Sequence, residues 1–214
     1  MYSRILSRRQ MTVWCITLSG ALALCIGLQG LLGLLGWGRT QLDTGAALAA
    51  DTLRLHIRAA SDTTADQTDK LAVRDAVLAY LDTACPAADQ PAALRWAAAH
   101  LSELQRVART VLAGRGSFAP VRVYLVEMYF DTTRYSASAL PAGRYQALRI
   151  DIGAAPYGRN WWCVLYPGLC RTACGGYAAP AENDLVCGRY LLRFKCVEWW
   201  QKHTARREDV ILLG

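Results

Sequence analysis

An uncharged apolar segment near the N-terminus constrains this chain more than any other feature. Residues 11–37 form a run of 27 residues without a charged side chain. About 20 apolar residues are enough for a helix to cross a bilayer core of about 30 Å, because each residue adds about 1.5 Å. Within the bilayer, a single segment satisfies its backbone hydrogen bonds only as a helix. We therefore predict a transmembrane or signal helix that contacts the membrane through residues 11–37.

The charges around this segment predict its orientation. Arg4, Arg8 and Arg9 precede it, and Arg39 is the first charged residue after it. Because arginines are retained on the cytoplasmic side, the chain beyond the segment is predicted to be exported. The long apolar core favours an uncleaved anchor, but small residues at 45–50 leave cleavage open. The predicted divisions are a cytoplasmic head with the membrane segment at 1–38, a linker at 39–50 and an extracytoplasmic domain at 51–214.

The exported part has the length of one domain, and its patterns predict an α+β fold. Alternating apolar residues indicate strands, apolar residues at helical spacing indicate helices, and β-branched and aromatic runs indicate central strands. The order is β-α-α-β-β-β, which predicts two helices on a mostly antiparallel sheet. The second and third strands are expected to pair antiparallel. The predicted elements are a strand at 53–58, helices at 64–85 and 91–113, and strands at 121–130, 145–153 and 189–199.

Residues 153–188 contain Gly, Pro and Cys throughout and show no sustained period. Long irregular segments of this kind are usually functional or cross-linked, so a Cys-rich loop is predicted. Trp161 and Trp162 are adjacent within it, and tryptophan is frequent among residues that dominate binding energies. The alternative is that both tryptophans fill the core beside a disulfide.

The cysteines agree with export. Six of the eight lie beyond the apolar segment, and an even number outside the cytoplasm suggests disulfides. A Cys163–Cys170 bridge would close a short loop. The spacing of the cysteines differs from that of zinc sites, so neither a metal nor another cofactor is predicted. The sequence leaves open how four cysteines pair, namely Cys85, Cys174, Cys187 and Cys196.

Known catalytic and nucleic-acid-binding patterns are not evident. The sequence has no metalloprotease, nucleophile-elbow or phosphate-loop motif, although a Cys163 nucleophile with His56 as its base remains an alternative. The net charge of +7 is not concentrated in a basic run. Neither nucleic acid nor a small-molecule substrate is predicted as a partner.

The start of the first predicted helix carries a polar group of residues. Lys70 and Arg74 are four residues apart and therefore share one helix face, with Asp66 one turn earlier. Such a group is either a solvated helix face or a binding surface.

Two long motifs resemble those of the stage II sporulation protein R family. The first is LRLHIRAASD at residues 53–62, followed by Asp66-Gln67 and by KLAVRDAV at residues 70–77. The second is LPAGRYQALR at residues 140–149 with Gly153, followed by NWWCVLYPGLC at residues 160–170. The apolar N-terminal segment also matches the family.

The resemblance implies a signalling role in endospore formation. Members are exported from the forespore into the intermembrane space, where they activate a membrane-embedded aspartic protease that processes pro-sigma-E. It therefore implies an activator with no catalytic centre, whose partner is the extracytoplasmic face of that peptidase. The alternatives are a structural envelope protein cross-linked by disulfides and a secreted Cys/His enzyme. The residues predicted to bind the partner or shape its site are His56, Ser61, Asp62, Asp66, Gln67, Lys70, Arg74, Asp75, Asn160, Trp161, Trp162 and Pro167.

Overall fold

The computed structural model describes residues 8–135, 138–168, 176–187, 195–204 and 209–210. The chain divides into two compact units, residues 1–43 and residues 44–214.

Helix α1 (Arg8–Ala50) contains the predicted apolar segment and is long and apolar enough to cross a membrane. A signal sequence meets the same criterion, so the helix fits an anchor or a signal sequence. The linker predicted at 39–50 is instead the helical end of α1. Alanine and leucine, which favour helices, are frequent in this stretch, and Leu48 is fully buried.

The main sheet has five strands in the order β6-β1-β5-β2-β7. Strands β1 and β5 are parallel, whereas the other neighbouring pairs are antiparallel. The sheet is therefore mostly antiparallel, and the predicted antiparallel pairing of β2 with β5 is confirmed. A further two-stranded sheet pairs β3 with β4. The strands are β1 (Leu53–Arg58), β2 (Val121–Phe130), β3 (Thr133–Arg134), β4 (Ala139–Leu140), β5 (Gly143–Ile152), β6 (Asn160–Tyr166) and β7 (Asp209–Val210).

The first predicted helix is confirmed, and the second is divided in two. Thr63 caps the first helix by accepting a hydrogen bond from the Asp66 backbone N–H, and the helix ends just before Cys85-Pro86. The division of the second occurs at His100, whose backbone leaves the helical region at φ −116° and ψ 20°. Besides α1, the described helices are α2 (Thr64–Ala84), α3 (Gln90–Ala99), α4 (Leu101–Gly114), α5 (Pro180–Cys187) and α6 (Lys195–Thr204).

Two elements differ from the sequence-based prediction. Residues 160–166, predicted as part of an irregular loop, form strand β6, because pairing with β1 satisfies their backbone groups. The strand predicted at 189–199 is wrong over residues 195–199, which begin α6; residues 189–194 lie outside the described residues. Glu198 and Lys202, four residues apart, contact neighbouring Thr132 and Asp131, which a helical spacing allows.

The sheet has an apolar face and a mixed face. Side chains of α2, α3 and α4 pack on the first, where Leu55 and Ile150 are fully buried. The second face packs against Leu48, Tyr177 and Val186. This second face also buries charged groups, so it depends on polar contacts as well as on apolar packing.

Asp151 is the centre of this polar layer. Its carboxylate is fully buried and accepts two hydrogen bonds of 2.6 Å from Arg58, one of 2.8 Å from the Tyr124 hydroxyl and one of 3.2 Å from Arg149. Burial opposes ionisation of Asp151, but the hydrogen bonds from Arg58 and Tyr124 outweigh it and hold its pKa below the usual value. Two arginines thus share one buried carboxylate as their counter-charge.

We predict that Asp151→Asn destabilises the protein by about 3–5 kcal/mol, because Arg58 and Arg149 lose their buried counter-charge. The measurement is the free energy of unfolding in urea at pH 7. Asp75→Asn is the matched control, since Asp75 is largely exposed in its pair with Arg74 and should contribute less than about 1 kcal/mol. Equal stabilities for the two variants would contradict the role given to Asp151.

Candidate functional site

The structure brings the two predicted motifs together at one surface. We call residues 59–75, where β1 leads into α2, and residues 153–162, which lead into β6, the junction surface. The Lys70 ammonium donates to the Arg159 carbonyl at 3.0 Å, and the Arg159 N–H donates to the Asp62 carboxylate at 2.7 Å. Gly158 also donates to the Ala59 carbonyl at 3.0 Å. The two segments are therefore held by side-chain and backbone hydrogen bonds.

A second set of hydrogen bonds fixes the start of α2. The Ser61 hydroxyl donates to the Asp66 carboxylate, and the Gln67 amide donates to the Ser61 carbonyl at 2.9 Å. Lys70 donates to the Gln67 side-chain oxygen at 2.6 Å. Ser61, Asp66, Gln67 and Lys70 thus form a continuous network, and it reaches residues 153–162 through Lys70.

Two glycines allow the segments to approach this closely. A Cβ atom on Gly158 would lie 2.1 Å from the Ser61 carbonyl oxygen, and one on Gly153 would lie 2.7 Å from the Ala60 Cβ atom. Gly153 also has φ +81°, a left-handed conformation that favours glycine. Both positions therefore require glycine in this arrangement.

Arg74 and Trp161 extend the junction surface along α2. The Arg74 guanidinium lies 5.1 Å from the centre of the Trp161 ring and donates to Asp75 at 2.7 Å. Asp75 and Asn160 are exposed. Trp161 contacts the apolar core, whereas Trp162 contacts aromatic rings on the opposite face and remains 37% exposed. The adjacent tryptophans therefore point to opposite sides of β6.

Lys70 carries a charge in a buried position. Its side chain is enclosed by the junction surface, and burial, with help from nearby Arg159, lowers the pKa of Lys70. The Gln67 side-chain oxygen and the Arg159 carbonyl accept hydrogen bonds from the ammonium, and neither group is a carboxylate. Lys70 therefore joins the two segments rather than presenting a charge to solvent.

His56 is not part of this surface. Its ring is buried against the edges of Phe130 and Trp162, at centroid distances of 6.2 and 5.8 Å, and neither nitrogen has a hydrogen-bond partner. Burial and the charge of Arg149 lower the pKa of His56 to about 3. His56 is thus a neutral residue of the second sheet face, where it lies beside the side chain of Asn160 at the start of β6.

The alternative Cys163–His56 catalytic pair is not assembled. Cys163 lies in the core beneath the helices, whereas the His56 ring lies on the other sheet face. Cys163 is also disulfide-bonded and therefore has no thiol. Among the described residues, no group of three or more His, Cys, Asp or Glu side chains is arranged to hold a metal ion.

The cysteines only partly match the expectation of complete pairing. Cys163 and Cys187 each take part in a disulfide bond, whereas Cys85 and Cys196 are free. Cys85 sits at the end of α2 in a half-buried position, and Cys196 is exposed on α6. The predicted Cys163–Cys170 pairing stays a prediction, because Cys170 and also Cys174 lie outside the described residues. Pro167 follows directly on β6 and stands apart from the junction surface.

Sequence reasoning missed several residues of the site. Arg159 acts through its backbone carbonyl and N–H, which no side-chain pattern reveals. Gly158 had a weak signal as one of many small residues in an irregular segment. Arg58 lies 3.7 Å from the Tyr157 ring centre. Arg54, His56 and Arg58 occupy alternate positions of one strand, and this pattern could have indicated a polar sheet face.

We predict that Gly158→Ala separates residues 153–162 from the start of α2, because the new methyl group would overlap the Ser61 backbone. Overpacking of this kind costs about 1–3 kcal/mol. Hydrogen exchange should accelerate at Gly158 and Arg159, and the free energy of unfolding should fall. Gly114→Ala is the control, since nothing lies within 4 Å of its Cβ position. Unchanged exchange in Gly158→Ala would contradict the tight contact.

A second prediction concerns His56 and pH. The unfolded chain binds a proton at His56 near pH 6.5, whereas the folded protein does so only near pH 3. Stability from this site is therefore complete above pH 6.5 and is lost as pH falls toward 3, by about 1.4 kcal/mol per pH unit. His56→Leu should flatten the dependence of unfolding free energy on pH between 6.5 and 4.5. An equally steep dependence in the variant would show that His56 is not buried as a neutral ring.

Comparison with known proteins agrees with the two sequence motifs. The family model described as stage II sporulation protein R matches residues 49–175. The chain is also 34% identical over 119 residues to Stage II sporulation protein R of Bacillus subtilis (strain 168), an alignment that covers 55% of this chain and 53% of the relative. The chain thus spans about half the length of the curated relative that it matches. No solved structure matches. Because the family model covers more than half of its length and includes both segments of the junction surface, this chain belongs to the stage II sporulation protein R family.

Proposed function

We propose that this protein is an extracytoplasmic activator of the membrane-embedded aspartic protease that processes pro-sigma-E. Family membership supports a role in sporulation. Helix α1 fits an anchor or a signal sequence, which is consistent with export of the remaining chain from the forespore. In this proposal the protein carries the signal between compartments and performs no chemistry on the sigma factor.

The observation that carries the proposal is the convergence of both family motifs on the junction surface. Residues 59–75 and 153–162 are far apart in sequence but share direct hydrogen bonds. Their polar groups are engaged with one another and with the backbone, as expected for a surface of fixed shape. A rigid surface loses little conformational entropy on binding, which favours recognition of a partner.

Exposed groups on this surface are suited to contact the protease. Asp75 is exposed, and Arg74 is held between Asp75 and the Trp161 ring. Arginine and tryptophan are frequent among residues that dominate binding energy. We place the contact with the partner at Arg74 and Asp75, supported from below by Lys70 and Gln67.

Reconstitution tests the proposal. The chain is expressed with its cognate protease and pro-sigma-E in a host that lacks all three, and cleavage of pro-sigma-E is measured. We expect cleavage with the full chain and none when residues 1–43 are replaced by a cytoplasmic start, a change that leaves the buried Leu48 in place. Cleavage that is the same without the chain would overturn the activator proposal. A structural envelope protein would also leave cleavage unchanged.

We predict that Arg74→Glu lowers the cleaved fraction about tenfold, because charge reversal removes the contact with Trp161 and places Glu beside Asp75. A loss of this size corresponds to about 1.4 kcal/mol of binding energy. Arg109→Glu is the matched control, since Arg109 is exposed on α4, away from the junction surface. Both variants must reach wild-type levels outside the cytoplasm. Equal loss in the two variants would assign the effect to overall charge.

A further inference from the structure

An apolar pocket lies apart from the junction surface. Its volume is about 430 Å³, and it is bounded by the end of α2, by α3 and by the end of β6. The described residues that form its apolar walls include Leu81, Cys85, Trp96, Ala97, Leu165 and Tyr166. Pockets that bind ligand groups have volumes of about 300–1,000 Å³ and mostly apolar linings, so this pocket has the size and character of a binding site.

The two aromatic walls of the pocket are held in place. The Trp96 ring stacks on His100, with ring centres 4.1 Å apart and an angle of 12°. The Tyr166 hydroxyl donates to the Ala88 carbonyl at 2.8 Å. Because these contacts fix both rings without a ligand, binding does not require the walls to rearrange.

The pocket is lined by an acidic side chain although the chain as a whole is basic. Asp82 is the one charged side chain among the described residues that line the pocket. Burial raises the pKa of Tyr166 in the pocket wall, and the negative charges of Asp89 and Asp51 raise it further. Since the net charge of the chain is +7, this local reversal of sign favours a cationic partner group.

We propose that this pocket holds an apolar side chain of the protease partner, flanked in that partner by a lysine or arginine that pairs with Asp82. The apolar side chain supplies the buried anchor, and the neighbouring cation pairs with Asp82. The Asp82 carboxylate disfavours an anionic lipid headgroup. The inference rests on the proposed function and adds a second contact to the junction surface.

The pocket-filling test uses position 85 in the reconstituted cleavage assay. Cys85→Phe should fill the pocket and reduce the cleaved fraction about tenfold, whereas Ala113→Phe, which adds the same ring on the exposed surface of α4, should keep wild-type cleavage. Asp82→Lys should give a similar loss without altering the core, since Asp82 is exposed. Asp184→Lys is its matched control, on the exposed surface of α5. Asp82→Lys decides the outcome if Cys85→Phe fails to accumulate.

Thiol labelling gives a direct readout of occupancy. In a Cys196→Ser variant, Cys85 is the remaining free thiol among the described residues beyond α1, and N-ethylmaleimide should label it more slowly when the protease is coexpressed. Labelling of Cys196 in a Cys85→Ala variant is the control and should not change. Slow labelling of Cys85 without the protease, in a dimeric sample, would show that a second copy fills the pocket and would overturn the proposal.

The two proposals fail in different ways. Wild-type cleavage in Cys85→Phe or in Asp82→Lys, with cleavage still dependent on the chain, would overturn the pocket proposal and leave the activator proposal intact. Cleavage that is independent of the chain would overturn the activator proposal, and with it the partner assigned to the pocket.

Discussion

The buried carboxylate of Asp151 is the contact on which one face of the sheet depends. Arg58 and Arg149 both bond to it, and it also accepts from Tyr124. Without a counter-charge, two guanidinium groups at the sheet would oppose folding by repulsion and by the cost of removing them from water. Arg58 ends strand β1 at the point where the chain turns toward α2, so this charge balance also fixes the start of the junction surface.

The junction surface shows how one surface is assembled from two distant parts of a chain. The parallel pairing of β1 with β5 and the antiparallel pairing of β1 with β6 place the end of β1 beside the start of β6. Lys70 and the two glycines then close the gap between the segments. The side chains that remain exposed are therefore presented on a fixed base, which is why the proposed contact with the partner is placed there.

Much of the architecture could be predicted from sequence because capping residues and local apolar patterns determine several helices and strands. Thr63 and Pro86 mark the limits of α2, and the apolar alternation of β1 and the composition of β2 indicate strands. The secondary structure of β6 and α6 could not be predicted in this way, since both elements depend on tertiary contacts. Strand β6 gains its hydrogen bonds from β1, and α6 places Glu198 and Lys202 against Thr132 and Asp131.

For the site, side-chain patterns identified Lys70 and Arg74, but the backbone groups of Arg159 and the contact of Gly158 are visible only in three dimensions.

The helical end of α1 bears on the timing of protein maturation. Leu48 is fully buried and the Thr52 hydroxyl contacts both the Leu48 carbonyl and Tyr177, so residues just before β1 are integrated into the fold. A peptidase needs an extended, accessible segment, and small residues in this stretch offer one only while the chain is still unfolded. If α1 is a signal sequence, its removal within this stretch and the folding of the domain compete in time: a chain that folds first keeps α1, and a chain that is cut first loses part of its own core.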